Sequence, residues 1–331
     1  MSSVNMYELD FERPLMQLER QISELEVQNQ QEQSVVGGEG DVDLGAEIGE
    51  LRASHEMMLE KIYANLSPVN TVKVARHPNR PQAMDYIKAF VKDFCELHGD
   101  RHYGDDRAIV CGFGRIGKTK CVVIGHNKGK DTAEKIKCNF GCAHPEGYRK
   151  ALRVMKLGEK YGLPIVTLID TPGAYPGIGA EERGQAEAIA VNLREMSRLK
   201  VPIVSVVIGE GGSGGALGIG VGDRIAMMEY SWWSVISPEG CASILWKTSN
   251  PETNAQAAEV LHLTAKDNLE LGVVDDLIKE PMGGAHRDLN RATANVEKYL
   301  LGALRDLNRF KTNNLLNKRY KRLRSMGRTT G

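Results

Sequence analysis

Between residues 202 and 228 the chain reads PIVSVVIGEGGSGGALGIGVGDRIAMM, and this stretch limits the possible folds more than any other. Residues 203–208 are a β-branched apolar run of buried-strand length. The run breaks at Gly209 and gives way to a small-residue segment that can start a helix. A strand, a glycine turn and a helix start in immediate succession predict an α/β chain. Glycine at 209, 211, 212, 214 and 215 permits positive φ and lets another group approach the main chain without meeting a Cβ. A helix beginning near Gly214 would aim unpaired N–H donors, with the helix dipole behind them, into the same space. The turn is a candidate anion or oxyanion site.

Several motifs fit this turn literally. Gly209, Gly211 and Gly214 satisfy G-x-G-x-x-G, with Glu229 about 20 residues on, where a dinucleotide fold wants its ribose ligand. Residues 211–215 also satisfy G-x-S-x-G, the nucleophile elbow of α/β-hydrolases, with Ser213 as nucleophile. A third reading is a hole that binds an oxyanion through backbone N–H groups alone, and a purely structural tight turn fits as well. The turn by itself leaves all of these open.

The 43 basic and 43 acidic residues cancel, so the molecule projects no strong field towards nucleic acid or an anionic membrane. With 331 residues, 41% hydrophobic, it can bury one large core or two ordinary ones. Lys318, Arg319, Lys321, Arg322, Arg324 and Arg328 form a local exception that reads as a solvated tail or a docking strip. No apolar h-region follows Met1, and the early acids Glu8, Asp10 and Glu12 argue against a transit peptide. Six cysteines without dense spacing fit a reducing compartment, so free thiols and a cytoplasmic location are expected. Cys138 and Cys142, with Cys111, Cys121 and His144 nearby in sequence, lack the paired C-x2-C units of zinc knuckles and read as structural thiols.

In chain order, Leu15, Leu18, Ile22 and Leu25 put a narrow apolar seam on a polar helix, and a second helix spans 48–66. The glycine- and acid-rich segment 34–45 between them predicts a flexible loop. These helices carry too little apolar surface to fold alone and are expected to pack on the main body or on another subunit. A helix with Tyr86, Ile87, Phe90, Val91 and Phe94 on its buried face follows, then strands at 108–113 and 121–125, a helix at 148–161 and a strand at 165–169. That strand ends in DTPGAYPG at 170–177, a second glycine and proline turn. A helix over 180–199 leads into the strand at 203. Alternating strands and helices predict parallel pairing through crossovers, and ligands in such folds collect at the carboxyl edge of the sheet. Both glycine turns should therefore face one cleft. Beyond them, SPE at 237–239 is a helix start with a Ser cap and Pro at the first helical position. A helix at 264–271, a strand at 273–278 and an amphipathic helix from 287 complete the order.

RHP at 76–78, GDR at 99–101, GHNKG at 125–129, PEGYRKA at 145–151, DTPGAYPG at 170–177, AEERGQ at 180–185, NLREMSR at 192–198, the turn 209–216 and VISPEGCASILW at 235–246 occur in this order. Together they resemble the α subunits of bacterial acetyl-CoA carboxylase carboxyltransferase over essentially the whole chain. The resemblance implies a crotonase-like α/β fold, a spiral of ββα units, with an N-terminal helical hairpin and loop at 1–75, a catalytic core at 76–285 and a C-terminal helix with a basic tail at 286–331. It implies transfer of the carboxyl group from N1-carboxybiotin on a biotin carboxyl carrier protein to the methyl carbon of acetyl-CoA. The product is malonyl-CoA, in the first committed step of fatty acid synthesis.

By the same resemblance, the backbone N–H groups of Gly214 and Gly215 hold the negative charge that develops on the biotin ureido oxygen, and a side chain at Gly215 would block the approach of biotin. Gly211, Gly212, Gly173 and Ala174 are candidates for lining that cleft. Arg183 is a candidate substrate contact or a helix-surface ion pair with Glu182. Lys128 and Lys130 could meet the phosphates of CoA or sit in a solvated loop. The implied partners are a carboxyltransferase β subunit in an α2β2 heterotetramer, the carrier protein and biotin carboxylase. ATP is used by biotin carboxylase, the zinc ribbon and the enolate hole belong to the β subunit, and this chain holds no covalent cofactor or metal.

Other classes fit less well. An elbow at Ser213 needs a later acid and then a histidine; Asp223, Asp275 and His286 supply the order, but no H-G-G-G motif appears. A dinucleotide fingerprint should follow the first strand of its unit, and Glu210 would face the pyrophosphate with like charge. In a scaffold without catalysis, so open a glycine turn would have no use.

Overall fold

The computed structural model describes residues 9–34 and 44–327. Among them, eight strands form one mixed sheet in the order β1-β2-β3-β4-β5-β6-β8, with β7 added to β5. β1 (Val91–Glu96), β2 (Ile109–Ile116) and β3 (Thr119–His126) pair antiparallel. β4 (Ile165–Thr171), β5 (Ile203–Gly212), β6 (Arg224–Met228), β7 (Trp232–Ser234) and β8 (Asp276–Ile278) continue from β3 in parallel. Crossover pairing thus holds from β3 onward, whereas β2 and β3 form a hairpin in which Ile116 faces Thr119.

Every residue of β4 and β5 is buried, because helices cover both faces and leave no face for polar alternation. Ile203 and Val207 point towards the helices Pro145–Lys160 and Gln185–Arg198, among Val154, Met155, Ala188 and Met196. Val204, Val206 and Ile208 point the other way, among Tyr86, Phe90, Val296 and Leu300 of the helices Ala83–Phe90 and Leu289–Leu307. This is the period-two alternation of a strand read by two different cores. β5 then carries two neighbours along one edge, β6 at Val204–Val207 and β7 at Glu210–Gly212, so its far end is held independently of its middle.

Several expected boundaries shift. The helix expected to carry Val91 and Phe94 stops at Phe90, and both residues lie in β1, where pairing of Val91 with Ile116 overrides continued helix. The helix expected over 180–199 is two, Ile178–Glu182 and Gln185–Arg198, broken where Gly184 takes φ +82°. β5 does not break at Gly209 but runs on to Gly212. Residues 35–43 of the glycine-rich segment lie outside the described residues, while Gly45 already belongs to the helix Leu44–Ala64.

The first two helices pack on the main body. Arg287 reaches Glu12 (2.9 Å) and Glu19 (2.8 Å), and Tyr63 meets Tyr230 edge to face at 5.2 Å. The basic C-terminal segment is structural where it is described. Arg319 is buried, with Nη2 2.6 Å from Asp223 and donors to the carbonyls of Met196, Leu199 and Val201. Arg322 pairs with Asp275 at 2.8 Å, and Arg328 lies outside the described residues. Neither a free tail nor a docking strip describes Arg319, since a buried guanidinium needs its donors satisfied. No helix of the described residues is long and apolar enough to cross a membrane.

Candidate active site

At the carboxyl edge of the sheet β5 passes straight into the short helix Ser213–Leu217. None of the five glycines of this turn has positive φ; the residue in the left-handed region is Ser213, at φ +54°. The glycines serve close approach instead. A Cβ on Gly209 would lie 2.5 Å from Asp170 Oδ1, and one on Gly212 would overlap the Pro172 carbonyl. A Cβ on Gly215 would overlap the Gly173 carbonyl carbon and lie 2.6 Å from Ala174 N. The two glycine turns therefore meet backbone to backbone.

Two positions beside that contact stay open. A Cβ at Gly173 would meet nothing within 4 Å, and one at Gly214 only Ile189 Cδ1 at 3.6 Å. The first-turn amides of a helix have no acceptor within it, which applies to Gly214 and Gly215 in the helix Ser213–Leu217; Gly214 lies beside open space, and Gly215 is buried against Gly173. Gly211 and Gly212 are buried in β5, Gly211 against Trp233 and Gly212 against the Pro172 carbonyl.

A buried charge network ties the turns together. Lys128 Nζ lies 2.6 Å from Asp170 Oδ1 and 2.6 Å from Glu210 Oε2. Arg76 Nε reaches Glu210 Oε1 at 2.6 Å, and its Nη1 reaches Glu239 at 2.6 Å. Asp170 Oδ1 also accepts the Glu210 amide at 2.9 Å. At this point the β4–β5 register slips between Ile169 and Thr171, so that a side-chain carboxylate takes the place of a ladder bond. Burial alone would raise Glu210, but Lys128 and Arg76 outweigh it and hold the carboxyl down at about 2. Burial would lower Lys128, and the two carboxylates reverse this, so the ammonium stays charged.

The other candidate residues are committed to protein partners. Lys128 is enclosed between its two carboxylates, away from the solvated-loop alternative. Lys130 lies outside the network, paired with Asp85 at 2.6 Å. Arg183 pairs with Glu146 at 2.8 Å, across to the helix Pro145–Lys160, in place of Glu182, and stacks 4.6 Å over Tyr103. The residues expected for a hydrolase triad are not assembled. Asp223 holds Arg319, Asp275 holds Arg322, and His286 stacks on His77 at 4.0 Å. Glu229, the ribose ligand of the dinucleotide reading, accepts the Glu280 amide at 3.2 Å.

Sequence reasoning missed the network because Arg76, Lys128, Asp170, Glu210 and Glu239 are far apart in the chain. The available signal was that each lies inside one of the recurring blocks RHP, GHNKG, DTPGAYPG, 209–216 and VISPEG.

The chain is similar to known proteins over nearly its whole length. A family model described as acetyl co-enzyme A carboxylase carboxyltransferase-like matches residues 8–327. The acetyl-coenzyme A carboxylase carboxyl transferase subunit alpha of Actinobacillus pleuropneumoniae serotype 5b is 52% identical over 319 residues, covering 96% of this chain and 98% of the relative. That of Wigglesworthia glossinidia brevipalpis is 52% identical over 324 residues, covering 98% and 99%. Among solved structures, transcarboxylase 12S with methylmalonyl-coenzyme A matches with TM-score 0.56 at 20% identity, over 69% of this chain but only 42% of its own. A Pseudomonas malonate decarboxylase hetero-tetramer in complex with coenzyme A matches with TM-score 0.57 at 15% identity, over 74% and 96%. At these identities the structures bear on the fold alone, which is crotonase-like α/β.

Proposed function

The chain belongs to the family of acetyl-CoA carboxylase carboxyltransferase α subunits, which together with further subunits carboxylate acetyl-CoA to malonyl-CoA, and we propose that its catalytic contribution is the pair of amides at Gly214 and Gly215. Cleavage of the N–CO2 bond of carboxybiotin leaves negative charge on the ureido oxygen. Two preorganised backbone donors stabilise that charge without a group that titrates. The ureido nitrogen freed in the same step takes a proton from the acetyl methyl group. The resulting enolate carbon then attacks CO2, so the carboxyl, the proton and the electron pair are all accounted for without a protein base.

One observation carries this reading. The glycine turns close on each other at Gly215 and Gly173–Ala174, yet leave Gly173 and Gly214 bare towards the adjoining space. That arrangement suits the flat ureido ring of biotin sliding over backbone. Gly173 and Ala174 then form the opposite wall, while Lys128 and Arg183 act through the protein groups they hold and not through phosphate. The donor arrives on a biotin carboxyl carrier protein charged by an ATP-using biotin carboxylase. The enolate hole and a zinc ribbon are on a β subunit in an α2β2 assembly.

Because the donors are the amides of Gly214 and Gly215 and the Ser213 hydroxyl takes no part, Ser213→Ala is expected to keep carboxyl transfer within about threefold of the parent. Alanine meets the same left-handed backbone at no extra cost, since both residues carry a Cβ. Steady-state rates with a β-type subunit present check this. A loss near a thousandfold, as on removal of a nucleophile, would overturn the backbone-donor reading.

A further inference from the structure

His126 closes β3 and is fully buried between the two glycine turns. Its Nδ1 accepts the Asp170 amide at 3.3 Å, so in the neutral ring the proton is on Nε2. Among the described residues that Nε2 has no hydrogen-bond partner of accepted geometry, and a buried donor left without an acceptor is costly. The Gly215 backbone is one group that acts on the ring. In the turn after the helix Ser213–Leu217, the amides of Gly218, Ile219 and Gly220 go to the carbonyls of Gly214, Ala216 and Leu217, which passes over the Gly215 carbonyl.

We propose that His126 is a positioning residue for carboxyl transfer: neutral and protonated on Nε2, it takes the Asp170 amide on one side and offers its N–H to the Gly215 carbonyl on the other. The ring thereby ties the end of β4 to the helix start that carries the two amides. The free chain shows no hydrogen bond at Nε2; the bond to Gly215 forms when the donor binds, as catalytic hydrogen bonds tighten in the reacting complex. Burial first, and then the Lys128 ammonium, push the imidazole down to about 3, while the Gly215 backbone pulls the opposite way, as a carbonyl facing a ring N–H does. The ring is thus fixed in its neutral form at working pH. This inference rests on the assignment of the Gly214 and Gly215 amides.

The test is made on the complex with a β-type subunit. His126→Phe fills the space without either hydrogen bond and should lower kcat about 30-fold while KM for malonyl-CoA stays within about twofold. His126→Gln, which keeps a donor and an acceptor, should regain most of the rate. Nitrogen-15 NMR of labelled histidine, with the His126 signal identified by its absence in His126→Gln, should show a neutral Nε2–H ring from pH 5 to 8. An Nδ1–H tautomer, an imidazolium at pH 6, or unchanged kcat in His126→Phe would each overturn the proposal. The NMR result decides the matter even if His126→Phe fails to fold. Gly215→Val, measured alongside, keeps the two claims apart: unaffected transfer there removes Gly214 and Gly215 from the site, whatever His126 does.

Discussion

A chain carrying Lys128→Met should lose on the order of 3–5 kcal/mol of stability, the usual result of removing one member of a buried ion pair. Lys128 is the cation that lies between Asp170 and Glu210, one on each glycine turn. Without it, two carboxylates joined by the Glu210 amide bond to Asp170 face each other in a site where burial already disfavours both. Arg76 and Glu239 cannot replace it, because Arg76 reaches only Glu210 of this carboxylate pair. Urea denaturation measures the loss, and adding Asp170→Asn should restore part of it by removing one of the unpaired charges.

The pH dependence has a defined sign. Glu210 is held at about 2, below its ordinary 4.5, so its stabilising contribution is complete above pH 4.5 and is lost as the pH falls towards 2. Lys128→Met lacks most of that contribution, so its deficit should be largest near neutrality and should shrink across this window. Identical urea midpoints for parent and variant at pH 7 would show that the network does not hold the turns.

Gly215→Val should reduce carboxyl transfer at least a hundredfold, and for a different reason from the one the sequence suggests. A side chain at 215 would not stand in the path of the donor. It would be driven into the backbone of Gly173 and Ala174, where even a Cβ overlaps the Gly173 carbonyl carbon. The two walls would have to part, and a displacement of about 1 Å of a positioned group costs on the order of a hundredfold. Gly173→Ala is the informative contrast. Its methyl meets nothing in the protein, so the melting temperature should barely move while kcat/KM falls, since the methyl occupies the space assigned to the donor. Rates, together with the melting temperature of each variant, distinguish a wall forced apart from a cleft filled in.

Much of this was legible beforehand. Residues 165–169 and 203–208 are mostly β-branched and apolar without alternation, which is what a strand buried on both faces looks like, and helices on both sides of β4 and β5 follow from it. The meeting of two glycine turns at one sheet edge also followed, because parallel strands bring their carboxyl ends together. Local propensity could not give the end of the helix at Phe90 or the continuation of β5 through Gly212. Ladder partners supplied by Ile116 and by Trp232 and Trp233 of β7 decide those boundaries. The role of the glycines was half legible. Freedom to take positive φ and room for close contact look the same in sequence, and the structure uses the second, leaving the positive φ to Ser213. Arg319 illustrates the same limit, since a basic run at the end of a chain carries no sign that one of its members will be buried against Asp223.

The central claim is that this chain supplies one half of a carboxyltransferase site, through the amides of Gly214 and Gly215. It is tested most directly by following malonyl-CoA decarboxylation coupled to carboxylation of free biocytin, with this chain alone and after mixing with a β-type carboxyltransferase subunit. The account predicts turnover only in the mixture, and its loss when Gly215→Val is used in place of the parent. Turnover by this chain alone, or an inactive mixture in which a well-folded complex has formed, would contradict it.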